Sequence, residues 1–199
     1  MDHVLCRMWA HARGGLVKYG TRIRKALKLA RQSHRGQWRD GDEALPYITH
    51  PIDVLNILRY EGRVTDEDLL CAALLHDVLE ETETSVGTIA ETCGERVASL
   101  VQELTRTEPS LEVSATLSPD ELWTLRSQLL LDGIRAMSVD AQLVKLADRV
   151  SNLRGAHATR TGDRLARYQR QSVEILQIVP AEVSPALHAT IDLLARSQS

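Results

Sequence analysis

The chain has no phenylalanine, and only seven of its 199 residues are aromatic. With no aromatics interleaved among its basic side chains and a net charge of −3, it has no stacking surface for nucleic acid, and such a partner is not expected. Cysteine is scarce and odd in number. Cys6, Cys71 and Cys93 stand at no metal-finger spacing, which argues for reduced thiols in a cytosol, with Cys71 an ordinary core residue. No apolar run reaches the length of a membrane span and the N-terminus has no signal-peptide core, so the expectation is a cytoplasmic protein without a membrane partner. Internal repeats, alternating strand patterns and low-complexity tracts are also missing. A chain of this length suits one domain and leaves no room for a second catalytic one, while its oligomeric state stays open.

What is present is uneven. Residues 21–39 hold seven basic side chains and no acid, and residues 145–170 hold seven more against Asp148 and Asp163. Residues 61–91 hold nine acids and one arginine. Such runs are either solvated helix faces or a basic border that holds an anionic substrate beside an acidic site.

Periodicity and caps predict helices throughout. Residues 1–20, with Gly14, Gly15 and Gly20, read as an N-terminal leader or loosely attached first helix, and the domain as 21–199. Thr21 opens a helix to about Arg35, residues 36–44 form a polar loop, and Pro51 starts a helix to about 60, leaving His50 at its N-terminus. Thr65 with Asp68 starts one apolar helix over about 65–81. Ser85 caps a short helix to Thr92, Gly94 opens another to Arg106, and 109–118 is a loop. Ser118-Pro119-Asp120-Glu121 starts a helix to about Ala136, followed by helices over about 140–155, 163–179 and 185–196. The fold class is therefore an all-α, single-domain helical bundle.

The segment 65–81 organises the rest. A helix apolar on most sides is a buried one, yet this one carries His76-Asp77 and Glu80-Glu81, and buried charges need partners or a metal. Chance predicts roughly half a His-Asp pair in a chain of this composition, so alone it means little. Two further segments of similar character change the odds: Pro46-Tyr47-Ile48-Thr49-His50-Pro51, and residues 143–154 with Asp148 beside an apolar stripe. His50, His76, Asp77 and Asp148 together make an N/O ligand set for one divalent metal ion such as manganese, iron or zinc. Each has a plainer reading: a hydrogen-bonded core histidine, or for Asp148 a salt bridge to Arg149 or Arg154.

These three motifs resemble, in order and separation, those of the HD-domain metal-dependent phosphohydrolases, in particular the RelA/SpoT-type alarmone hydrolases and their stand-alone small forms. The resemblance covers about residues 21–180. It implies a bundle of the HD type, with manganese as first choice of metal, and hydrolysis of guanosine tetra- and pentaphosphate alarmones at the 3′-pyrophosphate to give GDP or GTP. Glu80 and Glu81 would orient and deprotonate the attacking water, with an exposed acidic helix end as their plain alternative. By similarity Asn152 would bond near the scissile group or ribose, Arg39 and Arg164 would contact phosphate, and Tyr47 would form pocket wall or simple core. Lys145 would reach substrate or be a solvated helix residue. Two departures stand out: Asp40 where the family has lysine, and Glu81 where it has aspartate. The competing functions are phosphohydrolysis of another nucleotide, NADPH included, and a non-catalytic alarmone-binding module.

Overall fold

The computed structural model describes residues 19–39 and 42–197, with the backbone alone for 42–44. The expected leader lies outside the described residues except for its last two, and so does Asp40.

The order is α1 (Thr21–Ser33), β1 (Trp38–Arg39), β2 (Asp42–Pro46), α2 (Thr49–Asn56), α3 (Glu67–Leu75), α4 (Val78–Glu81), α5 (Val86–Cys93), α6 (Glu95–Leu104), α7 (Leu111–Thr116), α8 (Pro119–Ala136), α9 (Val139–Thr159), α10 (Gly162–Ile178) and α11 (Pro185–Arg196). The all-α expectation holds apart from one small hairpin. There the polar loop pairs β1 with β2 in antiparallel fashion, Trp38 opposite Pro46, with a register shift between Trp38 and Arg39. A strand pair this short has no alternating pattern to read.

Every residue from Leu69 to Leu75 is at most 3% exposed. Helices α1, α2, α6 and α9 pack around this segment. Full burial of each leucine contributes roughly 1.5–3 kcal/mol, which makes α3 the thermodynamic as well as the geometric centre. Asp66, rather than Thr65, caps it, accepting from the Asp68 N–H at 2.8 Å.

The predicted single helix 65–81 is in fact two. It stops at Leu75, and the chain turns through His76 and Asp77 before the one-turn helix α4. His76 gives its Nδ1 to the carbonyl of Ala73 at 2.8 Å, so the side chain closes the helix end. An unbroken helix would have aimed His76 and Asp77 about 100° apart, whereas the turn brings both to one point.

Helix α2 ends at Asn56 in a π-helical turn, Ile57–Glu61, where the Gly62 N–H reaches the carbonyl of Ile57 at 2.9 Å. Only glycine fits at 62, because a Cβ would lie 2.8 Å from the carbonyl oxygen of Leu58. The predicted loop 109–118 contains the short helix α7, capped by Ser110. Ser118 and Glu121 form the full capping box at the start of α8, with Pro119 in the first turn. Helix α9 is longer than predicted and carries twelve buried residues, Asp148 among them.

The charge runs partly consume each other. Glu61 pairs with Arg154, Asp66 and Asp68 with Arg96, and Asp68 also with Arg22. These half-exposed contacts tie helices together at the surface and contribute about 0–1 kcal/mol each. Cys71 and Cys93 are both buried and unbridged, and Cys71 lies in the core as expected.

Candidate metal centre

Four predicted side chains converge from three parts of the fold: His50 near the start of α2, His76 and Asp77 at the break after α3, and Asp148 on α9. The two imidazole Nε2 atoms are 3.2 Å apart. Asp77 Oδ2 lies 3.1 Å from His76 Nε2 and 3.5 Å from His50 Nε2. Asp148 Oδ1 lies 3.3 Å from His50 Nε2 and 3.7 Å from His76 Nε2. Both histidines and Asp148 are at most 5% exposed.

Hydrogen bonding fixes which ring nitrogens face inward. A carbonyl only accepts, so the bond to Ala73 puts a proton on His76 Nδ1 and turns Nε2 into the centre. Ser151 Oγ donates to Asp53 Oδ2 at 2.7 Å and therefore accepts from His50 Nδ1–H at 3.1 Å. His50 is thereby oriented the same way. Two nitrogen lone pairs and two carboxylate oxygens then face one another in a buried space, an arrangement that needs a cation.

The donor set fits a divalent metal. Ligands about 2.0–2.2 Å from one ion, at octahedral or tetrahedral angles, stand about 3.0–3.5 Å apart, close to the separations observed. A proton can serve in the metal's place. Burial alone would push the His76 pKa down, but Asp77 and Asp148 outweigh it and hold the imidazolium to about 10. For Asp77, burial pushes upward and the two histidines pull the carboxyl well below its usual range. Burial likewise opposes ionisation of Asp148, and Lys145 with the histidines overrides it.

The surrounding residues brace this centre. The Tyr47 hydroxyl donates to Asp77 Oδ2 at 2.6 Å, so Tyr47 orients a carboxylate besides forming wall. Burial, followed by Asp77, raises the Tyr47 pKa and keeps its proton on. Asn152 Nδ2 donates to Asp148 Oδ1 at 2.5 Å, as their spacing on one helix face allows. Lys145 is not a solvated residue. It is 7% exposed, and its ammonium lies 2.9 Å from Asp148 Oδ2, because position 145 is one turn before 148 on the buried face of α9.

Glu80, on the first turn after His76 and Asp77, is 10% exposed at its side chain, whereas Glu81 is 44% exposed. Arg106, read from sequence only as a helix end, grips Glu80 through its main-chain N–H at 2.7 Å and its Nε at 2.6 Å. A residue twenty-six positions away in a loop leaves no periodic signal. Half-buried Arg39 rests against α9, its Nη2 3.1 Å from where a Cβ on Gly155 would stand. Arg164 is exposed in the first turn of α10 and touches none of the cluster among the described residues. Ser151, Asp53 and Ala73, which set the histidine orientations, were also not read from sequence, and only the placement of Ser151 three residues beyond Asp148 hinted at one of them.

Two imidazoles and two carboxylates, drawn from three parts of a helical fold, make a buried group of the kind that could hold a divalent metal ion. The model of the HD domain matches residues 26–178, and the chain belongs to this family. Hydrolases of the family use a divalent metal, in keeping with the grouping of His50, His76 and Asp148. The chain is similar to a guanosine-3′,5′-bis(diphosphate) 3′-pyrophosphohydrolase, MESH1 of Xenopus tropicalis, at 38% identity over 134 residues, 66% of this chain and 68% of that one. The bifunctional (p)ppGpp synthase/hydrolase SpoT of Escherichia coli K12 is 34% identical over 154 residues, which are 77% of this chain and 20% of that protein. A solved metazoan SpoT orthologue, described as hydrolysing ppGpp with a role in starvation responses, has a TM-score of 0.76 at 29% identity, covering 91% of this chain and 97% of that chain.

Proposed function

We propose that this chain is a metal-dependent guanosine-3′,5′-bis(diphosphate) 3′-pyrophosphohydrolase, acting on the tetra- and pentaphosphate. The observation that carries the proposal is the convergence of His50, His76, Asp77 and Asp148 beside Glu80, in a chain whose relatives bear that activity as their name. Attack at phosphorus, which releases GDP or GTP with pyrophosphate, sets the bond that breaks. Water oxygen bonds to the phosphorus next to the ribose, the phosphorus–O3′ bond opens, and O3′ leaves with a proton.

The chain's own residues divide this work. His50, His76, Asp77 and Asp148 would hold the ion, with manganese our choice among divalent metals. When bound, such an ion polarises phosphoryl oxygens and makes water more acidic. Glu80 takes the proton of the attacking water as general base, and Glu81, more exposed, assists in orienting it. Tyr47, Asn152 and Lys145 hold the two metal-ligating aspartates in place. Arg39 is our phosphate contact from the hairpin, and exposed Arg164 our second. Asn152 and Tyr47 also border the substrate, while the Lys145 ammonium is committed to Asp148. The same reading makes the protein cytoplasmic. No described helix is long and apolar enough to cross a membrane.

The test is to incubate metal-stripped protein with guanosine tetraphosphate, with and without manganese, and to follow nucleotides by chromatography. GDP and pyrophosphate that appear only with the metal are expected. Tight binding without turnover would overturn the enzyme reading in favour of a binding module. The Glu80→Gln variant should lose turnover by at least a hundredfold with metal content intact. Near-normal turnover would remove Glu80 from its role.

A further inference from the structure

We infer that Arg106 is a positioning residue, which fixes the carboxylate of Glu80 for its work as a base. The inference rests on the hydrolase reading above and concerns a residue in none of the three motifs.

Helix α4 has four residues, and Val78 is its one buried side chain. So short an element gives Glu80 little support of its own, and a glutamate side chain has three rotatable bonds. The support comes from across the fold. Arg106 stands two residues past the end of α6, in a turn fastened by Thr105, whose N–H and hydroxyl both bond the Val101 carbonyl at 3.1 and 2.8 Å. From there its main-chain N–H meets Glu80 Oε1 at 2.7 Å and its Nε meets Oε2 at 2.6 Å. Each carboxylate oxygen receives one bond and keeps a second acceptor direction for water.

An ordinary surface ion pair looks different. It joins two exposed, flexible side chains. Here the carboxylate is 10% exposed, and one of the two bonds comes from the main chain. The guanidinium is 44% exposed at the rim and reaches Glu81 only at 3.6 Å, so its main engagement is with Glu80. Burial lowers the Arg106 pKa, and Glu80, then Glu108 and Asp77, outweigh it and raise it, so Arg106 feels Asp77 as well as Glu80. Lys145, bound to Asp148, feels Glu80 as well. Glu80 is thus held by Arg106, within electrostatic reach of Lys145 and its partner Asp148.

Wild type, Arg106→Ala and Arg106→Lys, each loaded with manganese, are compared for kcat and KM on guanosine tetraphosphate, for metal content and for thermal midpoint. In Arg106→Ala the main-chain bond survives and the Nε bond is lost. The expectation is a fall in kcat of about a hundredfold, with KM within about twofold and metal content unchanged. Guanidinium chloride at tens of millimolar should restore several-fold activity to Arg106→Ala and none to wild type. Arg106→Lys should be intermediate, since an ammonium on a flexible stem replaces a fixed donor. A raised KM at unchanged kcat would make Arg106 a phosphate contact instead and overturn the inference, as would an unchanged kcat. Lost kcat with a lowered midpoint and no guanidinium rescue would make its role structural. Wild type without turnover would overturn the hydrolase reading and this inference with it, whereas an active wild type with insensitive variants overturns this inference alone.

Discussion

Replacing Lys145 by Met should destabilise the metal-free protein strongly and the metal-loaded protein less. The Lys145 ammonium sits 2.9 Å from Asp148 Oδ2, with 8% and 7% of the two side chains exposed. Methionine keeps the length of the stem and removes the charge. A buried pair broken on one side costs about 3–5 kcal/mol, because the remaining ion is left without its partner. For a chain of this size, 1 kcal/mol corresponds to about 2–4 °C in the unfolding midpoint, so the metal-free variant should melt roughly 10 °C below wild type. A divalent ion in the centre gives Asp148 another cation and offsets part of that loss. Manganese should therefore raise the midpoint more in Lys145→Met than in wild type. Scanning calorimetry of both proteins, with chelator and with manganese, reads the two numbers directly. A metal-free difference under about 3 °C, or equal metal-induced rises in the two proteins, would refute the argument that this buried pair supports the metal-free fold.

The remaining predictions concern the ligands and their protons. Asp148→Ala should strip the metal, which elemental analysis of the purified variant checks; one retained equivalent would contradict the ligand assignment. His76 titrates near 10 when metal-free, above its ordinary 6.5, so the stabilisation it provides is complete below pH 6.5 and is lost as pH rises through about 10. The metal must displace that proton, so affinity should rise with pH up to about 10. Calorimetry in paired buffers at pH 8 should detect about one proton released per ion, and no release would refute it. Tyr47→Phe removes the 2.6 Å bond to Asp77 and should weaken metal binding about tenfold while leaving stoichiometry at one, measurable by competition with a chelator.

The parts of this molecule that could be read in advance are those where local chemistry decides. Ser118-Pro119-Asp120-Glu121 begins α8 as written because a capping box is satisfied within four residues. Pro185 and Arg196 bound α11 for similar reasons. The four candidate ligands were singled out because burial of a charge demands compensation, and three apolar segments together carry four metal-competent side chains, which the structure brings to one point. Long-range bonds decide what was missed. Nothing within a turn of His76 announces that the helix stops there, and the reason for the stop is a site assembled with His50 and Asp148 from other helices. Lys145 stayed open between a solvated and an inward-facing residue, because one charged residue in an apolar stripe looks like an exposed interruption until its partner, three residues on, is itself known to be buried. Arg106 is the extreme case, since its meaning depends on Glu80 and on a turn that no periodicity describes. The order of legibility is an order of interaction range: caps first, buried stripes next, and last the polar contacts between separate elements, on which the chemistry of this site depends.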